Sequence, residues 1–433
     1  MNGHNKPLNV SWSRLFLFLP LLAAVVSSHA TQKALERLQS VEGAQNKTVE
    51  RAKYQINLRL NFDLRSYAGS ERVRWINRGD RPTAALYFHL YSNLRVGQSM
   101  PASGSNSAAL VVAEADEPRI EVTEVRSAAD NERLTFVLDD QGTTLRVNLR
   151  EAVAPGGSAE VLLSFKGSVP EIDPDETSIT THVIKQVSAA LRGEREIRRA
   201  RDINFRSRGM MLLGTSYPVL AVHDGGEWQR KIEPSVGDII FNEVADYEVS
   251  VEAASGVMVF TSATELETKS EGETVKTFTG TALRDFAIIA GHGLRVEEAV
   301  VGNTTLRSIF LPPHEQAGKR VLAAGTNALR IFTARFGPPP FKTINIAEVP
   351  LVAGLGSTEF AGLDVIASAF YVDFDSASMR NLPEIIREQR PSVEQSLEWT
   401  VGHLVAHQWW GAAVGNNPAR EPVLDEALSC WSA

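Results

Sequence analysis

Residues 401–411 read VGHLVAHQWWG, and the two histidines four positions apart in this apolar run govern how the rest of the chain is read. On a helix, positions i and i+4 stand one above the other, so His403 and His407 can present two imidazoles to one ion. Taken alone, the pair also fits two packed, hydrogen-bonded histidines on an apolar helix. A carboxylate strengthens the metal reading: Glu426 follows His407 with eighteen residues between them, on what reads as a final short helix after an Asn-Asn-Pro turn. Two histidines and a glutamate leave a fourth tetrahedral position open, which is the composition of a catalytic rather than a structural zinc site. Asp425 is adjacent, but consecutive helical positions differ by about 100°, so only one of the two acids is expected to face the ion.

Upstream of this stretch the texture is mixed α/β. From His314 to Phe336 the apolar residues Val321, Leu322, Leu329 and Phe332 fall at helical spacing, and Gly337 followed by three prolines stops the helix. TINIAEVP, 343–350, reads as a strand, followed by a glycine-rich turn, AGLGSTEFAGL, and another apolar segment. The last long helical region begins near Pro391 and carries both histidines.

The first half reads differently. YQINLRLNFDL, Tyr54 to Leu64, alternates apolar and polar at every position, the period of a half-buried strand. ERVRWIN, ALYFHLY, RLTFVLDD, TLRVNL and AEVLLSFKG continue the pattern between Gly, Pro, Asp and Asn clusters, and DDQGT joins two of them as a hairpin loop. These runs predict a mostly antiparallel β domain over residues 52–283, preceded by a polar leader, 31–51. Residues 192–208 hold seven arginines and three interspersed acids, which reads as a solvated helix or hairpin excursion rather than a site for an acidic partner.

The chain has 433 residues, enough for two or three domains, and its 43% hydrophobic and 22% charged content is that of a globular protein. A net charge of -8 gives no nucleic-acid footprint. The first thirty residues read as a signal peptide: Lys6 and Arg14 precede an apolar run from Leu15 to Val26, and Ser28-His29-Ala30 offers small residues for cleavage. Twelve apolar residues are short for a bilayer, so an exported protein, periplasmic or extracellular, with no stable span after cleavage is expected. The single cysteine, Cys430, precludes an intramolecular disulfide and reads as a small core residue in LSCWSA.

HLVAHQWWG and LDEAL, with eighteen residues between His407 and Glu426, resemble the H-E-x-x-H-x18-E signature of the aminopeptidase N family, the gluzincin zinc peptidases that include leukotriene hydrolase. GLGSTEFAGL is similar to that family's G-x-M-E-N segment, and FNEVADYEVSVEA to the last strands of its saddle-shaped N-terminal β domain, so the likeness covers about residues 52 to 433. The resemblance implies an α+β, multidomain fold, the β saddle domain being followed by a thermolysin-like α/β zinc-peptidase domain over 284–433. It also implies one Zn2+ held by His403, His407 and Glu426. Glu359 would hold the free α-amino group of a peptide, and Gly356 would lie where the backbone meets the substrate as an edge strand. The activity implied is removal of N-terminal residues from peptides.

Two departures qualify that expectation. Leu404 stands where the family has its general base, and general acid-base groups contribute on the order of 10²- to 10⁴-fold. Glu421, Asp425 and Glu359 each have another expected position or role. The chain also reaches Ala433 seven residues after Glu426, before the tyrosine that in the family stabilises the tetrahedral intermediate, so the catalytic domain is expected to be incomplete at its C-terminus. Thr358, Asp425 and Ala427 replace the usual Met, Asn and Gly. Three explanations stay open: a piece of a longer protein, a pseudopeptidase that binds peptides without consuming them, or a local anomaly in an active lineage. The expectation for this chain is retained or weakened zinc binding with little or no hydrolysis.

Overall fold

Tyr54, Ile56, Leu58 and Leu60 are buried while the residues between them are exposed, so strand Ala52–Asn61 has one face in a core and one in solvent. The same alternation runs along Ala245–Ala253, its parallel neighbour, in a seven-stranded sheet. Every other pairing in that sheet is antiparallel, as the sequence pattern predicts. The structure is a computed structural model, and it describes residues 50–95, 117–191, 199–233, 238–266, 274–352, 356–375 and 390–433, with residues 380, 384 and 388. The expected signal peptide, 1–30, and all but the last two residues of the expected leader, 31–51, lie outside the described residues. Residues 51–433 form one compact unit.

A second sheet, of four strands, holds the expected hairpin: Phe136–Leu138 pairs with Thr144–Val153. Across the turn, Asp139 accepts hydrogen bonds from the backbone of Thr143 at 2.8 Å and Thr144 at 3.1 Å. One position in this half of the molecule runs against its surroundings. Glu71, on the strand Ser66–Ile76, is 1% exposed, and neither of its carboxyl oxygens has a hydrogen-bond partner among the described residues. Burial pushes its carboxyl well above the usual range. It sits in the field of Tyr54, Tyr217 and Tyr247, whose phenols burial raises as well.

The arginine-rich stretch corrects one expectation. Residues 192–198 lie outside the described residues, but the hairpin C-terminal to them is buried rather than solvated: Asn204–Ser207 pairs with Met210–Leu213, and Phe205 and Ser207 have no exposure. Local pairing makes the burial tolerable. Asp202 accepts from the Arg199 backbone at 2.8 Å and from its guanidinium at 3.3 Å, and Arg201 pairs with Glu176 at 3.4 Å. The hairpin belongs to another four-stranded sheet, in which Ile288–His292 pairs with both Val257–Thr261 and Met210–Leu213.

A mixed five-stranded sheet comes next along the chain, in the order Arg295–Val301, Thr304–Phe310, Thr343–Val349, Leu363–Ala367, Ser357–Phe360. The three inner strands run parallel and are buried along nearly their whole length, as strands covered on both faces must be. Ser357–Phe360 is an antiparallel edge. The helix Glu315–Phe336 buries Val321, Leu329 and Phe332 and ends at Gly337, whose φ of +89° is a conformation that favours glycine. There the Gly337 carbonyl accepts from the Trp409 indole at 3.2 Å, which ties the helix Arg390–His407 to it. Among the described residues no helix is long and apolar enough to cross a membrane.

Candidate metal centre

The helix Arg390–His407 delivers His403 and His407 to one side, 8% and 2% exposed, with their Nε2 atoms 3.1 Å apart. The chain then reverses through Gly411, at φ +110°, where a Cβ would lie 3.4 Å from His407 Nδ1. Pro422, at the first helical position, starts the helix Pro422–Ser432. On it Glu426 brings Oε2 to 3.4 Å from His403 Nε2 and 3.8 Å from His407 Nε2. Its neighbour Asp425 turns aside and accepts from the Glu426 backbone at 3.1 Å.

These three separations test whether the donors fit a zinc ion. Ligands at 2.0–2.1 Å in a tetrahedron lie about 3.3 Å from one another, and the observed edges of 3.1, 3.4 and 3.8 Å bracket that value. The tautomer fits too. His407 Nδ1 is 3.0 Å from the Trp410 carbonyl, which can only accept, so Nδ1 carries the proton and the Nε2 lone pair faces Glu426 and His403. Trp399 stacks on the His403 ring with centroids 5.2 Å apart, and the His403 Nδ1 lies 3.6 Å from Cys430 Sγ. Cys430 is therefore not a core residue as LSCWSA suggested; it is exposed, on the face of the last helix that passes His403.

Without an ion the charges hold a proton instead. Burial works against a charged His407, yet Glu359 and then Glu426 hold it up at about 9. Burial likewise opposes the Glu426 carboxylate, and the hydrogen bonds from His403 and His407 hold it well below the usual range. A cation at this point replaces that proton, since metal ligation needs neutral imidazole and ionised carboxylate.

Glu359 comes from the edge strand Ser357–Phe360, where Thr358 and Phe360 are buried and Ser357 and Glu359 are not. This alternation brings a Glu359 oxygen into a group with His407 and Glu426 whose ligand atoms all lie within 4.8 Å of one another. Gly356 sits just before the strand and accepts from the Ala367 backbone at 2.9 Å. Leu404 has no exposure and belongs to the main apolar core. Glu421 lies at the start of the last helix and is exposed.

A residue outside the expected set joins these parts. Gln408 is fully buried; its Oε1 accepts from Gly362 N at 2.8 Å, and its Nε2 donates to Phe360 O at 3.3 Å and Asp364 Oδ1 at 2.9 Å. It clamps the end of the histidine helix to the turn beyond Glu359. The sequence signal was a polar side chain next to His407 in an apolar run, which gives no hint of partners some 46 residues away.

Three solved structures of an M1 zinc metallopeptidase from Deinococcus radiodurans align with 88% of this chain and 69% of theirs, at TM-scores of 0.51 to 0.53 and 16 or 17% identity. The chain shares the fold of these M1 zinc metallopeptidases. One of the three is a variant bound to a Tyr-Ser-Ala substrate. No family model matches the chain, and no curated protein does. At such identity the likeness to the M1 structures is one of architecture, and the chemistry at His403, His407 and Glu426 rests on this chain's own atoms.

Proposed function

We propose that the chain is a zinc-binding protein of the aminopeptidase N type that engages peptides through their free N-terminus, with hydrolysis lost or much reduced. The observation that carries this is the convergence of His403 Nε2, His407 Nε2 and Glu426 Oε2 within 3.1 to 3.8 Å. When bound, zinc supplies Lewis acidity toward a peptide carbonyl. Glu359 lies close enough to that centre to pair with an ammonium, which fixes the peptide by its first residue. Gly356 and the edge strand beyond it offer backbone to an extended ligand. Leu404 supplies no proton acceptor, because an alkyl side chain in the core cannot exchange a proton with the reacting atoms.

Purified protein is expected to hold about one zinc, and His407→Ala to lose it; a chain that is metal-free and takes up none sinks the reading. Aminoacyl anilides should be cleaved slowly or not at all, so robust cleavage abolished by a chelator would show that Leu404 does not disable the site. A non-catalytic, peptide-binding role is the second reading, favoured by the packing of Leu404. It predicts that peptides with a free N-terminus bind and are recovered intact, and that Glu359→Ala weakens the binding. Cleavage of residues 1–30 during export is part of the proposal and is read by N-terminal sequencing of the mature chain.

A further inference from the structure

We propose that Cys430, His403 and Glu426 form a second cation site, on the outer flank of the histidine pair, that takes a soft divalent ion such as Cd2+ and competes with zinc for His403. The site stands on its own atoms, and only the competition rests on the zinc reading above. Cys430 is the single cysteine of the chain and is exposed. It follows Glu426 by four positions on the helix Pro422–Ser432, so the two share a helix face. Its Sγ lies 3.6 Å from His403 Nδ1, whereas the other ring nitrogen, Nε2, is the one that meets His407. One ligand atom from each of His403, Glu426 and Cys430 lies within 4.8 Å of the other two.

The sulfur and the nitrogen have the spacing of two ligands on one ion. A thiolate at about 2.3 Å and an imidazole at about 2.0–2.1 Å on a tetrahedral ion stand about 3.5 Å apart. His403 is 8% exposed, and among the described residues its Nδ1 has no partner other than that sulfur. The ring is also held. Trp399 stacks on it with planes 17° apart, and the His407 ring meets it at 79° with centroids 4.6 Å apart, which leaves Nδ1 directed at Cys430.

Competition follows from the lone pairs of imidazole. The neutral ring has one nitrogen with a free lone pair and one that carries hydrogen. When Nε2 holds an ion with His407 and Glu426, Nδ1 carries the hydrogen and can only donate toward the sulfur. When Nδ1 holds an ion with Cys430, Nε2 carries it, and the first centre loses a ligand. Glu426 is shared between the two sites as well. The donor sets differ in softness, because only the second contains a thiolate, and thiolates favour soft ions. Binding breaks the S–H bond, passes its proton to the buffer and forms an S–Cd bond, with no change of oxidation state.

The experiment titrates Cd2+ into the full chain, zinc-stripped and zinc-loaded, with a phosphine reductant present to keep the thiol free. The ultraviolet sulfur-to-cadmium charge-transfer band is read together with zinc released to an indicator dye. Expected in the stripped chain is a band that saturates at one cadmium per chain, is absent in Cys430→Ser and Cys430→Ala, and persists in His407→Ala. In the loaded chain the band should grow only as zinc is released, and Cys430→Ser, with zinc content intact, should need at least tenfold more Cd2+ for the same release. No band in the wild type, or loss of the band in folded His407→Ala, overturns the site. Saturation at half an equivalent places the ion between two chains and overturns it too. A band that grows while all zinc is retained overturns the competition. If the wild type takes up no zinc but gives the band, the zinc reading fails and the thiolate site stands.

Discussion

Leu404 and Trp399 are the two side chains through which the metal reading is most directly checked. Leu404→Glu introduces the missing carboxylate at the cost of placing an acid where the wild type has no exposure. In a folded, zinc-loaded variant, anilide turnover should rise by on the order of 10² or more. No rise at all would place the lesion in the cleft as a whole. Trp399 stacks on His403, so a paramagnetic ion such as Co2+ at this centre should quench indole emission, and Trp399→Phe should remove part of that quenching, the rest coming from Trp410 beside His407. Quenching left unchanged by the substitution would put the ion elsewhere. At this scale the sequence was legible for residues whose placement is carried by spacing: His403, His407 and Glu426 meet. It was not legible for Cys430 or Asp202, because exposure depends on what packs above a residue and not on its neighbours in the chain.

At the scale of elements, the decisive joint is the one between the histidine helix and the edge strand. Gln408→Ala removes three hydrogen bonds and leaves Asp364, itself fully buried, without the amide that holds one oxygen. The expected cost is about 2–4 kcal/mol in unfolding free energy, because buried polar groups lose their partners. The more telling readout is selective: peptide affinity should fall further than zinc affinity, since Glu359 is freed to shift while His403, His407 and Glu426 stay on their helices. Equal losses would contradict the clamp. The strands and the helix Glu315–Phe336 were legible from period and punctuation, Gly337 included. The Gln408 clamp was not, because it joins residues 46 positions apart.

For the whole molecule, pH and metal act on different halves. Glu71 keeps its proton in the folded state well above the point, near 4.3, at which an unfolded glutamate loses it. The native chain therefore binds one more proton than the unfolded chain across that window, and the contribution of Glu71 is full at low pH and drains away as pH rises toward its folded value. Comparing wild type with Glu71→Gln isolates it: the stability difference should shift in favour of the variant by up to about 1.4 kcal/mol per pH unit above pH 5. A difference independent of pH would show that Glu71 is not held neutral. None of this involves the histidines, so the slope should persist in chelated protein.

The last helix offers Val423, Leu424, Leu428 and Trp431 to solvent and meets the histidines through Glu426. An ion shared by His407 and Glu426 is then a cross-link that closes a ring over the eighteen residues between them. A covalent link across a loop of that length removes about 3 kcal/mol of chain entropy from the open state. Hydrogen exchange should register this as a latch: chelation speeds exchange across Pro422–Ser432 by one to two orders of magnitude while Leu397 to Ala406, rooted in the core, keep their protection.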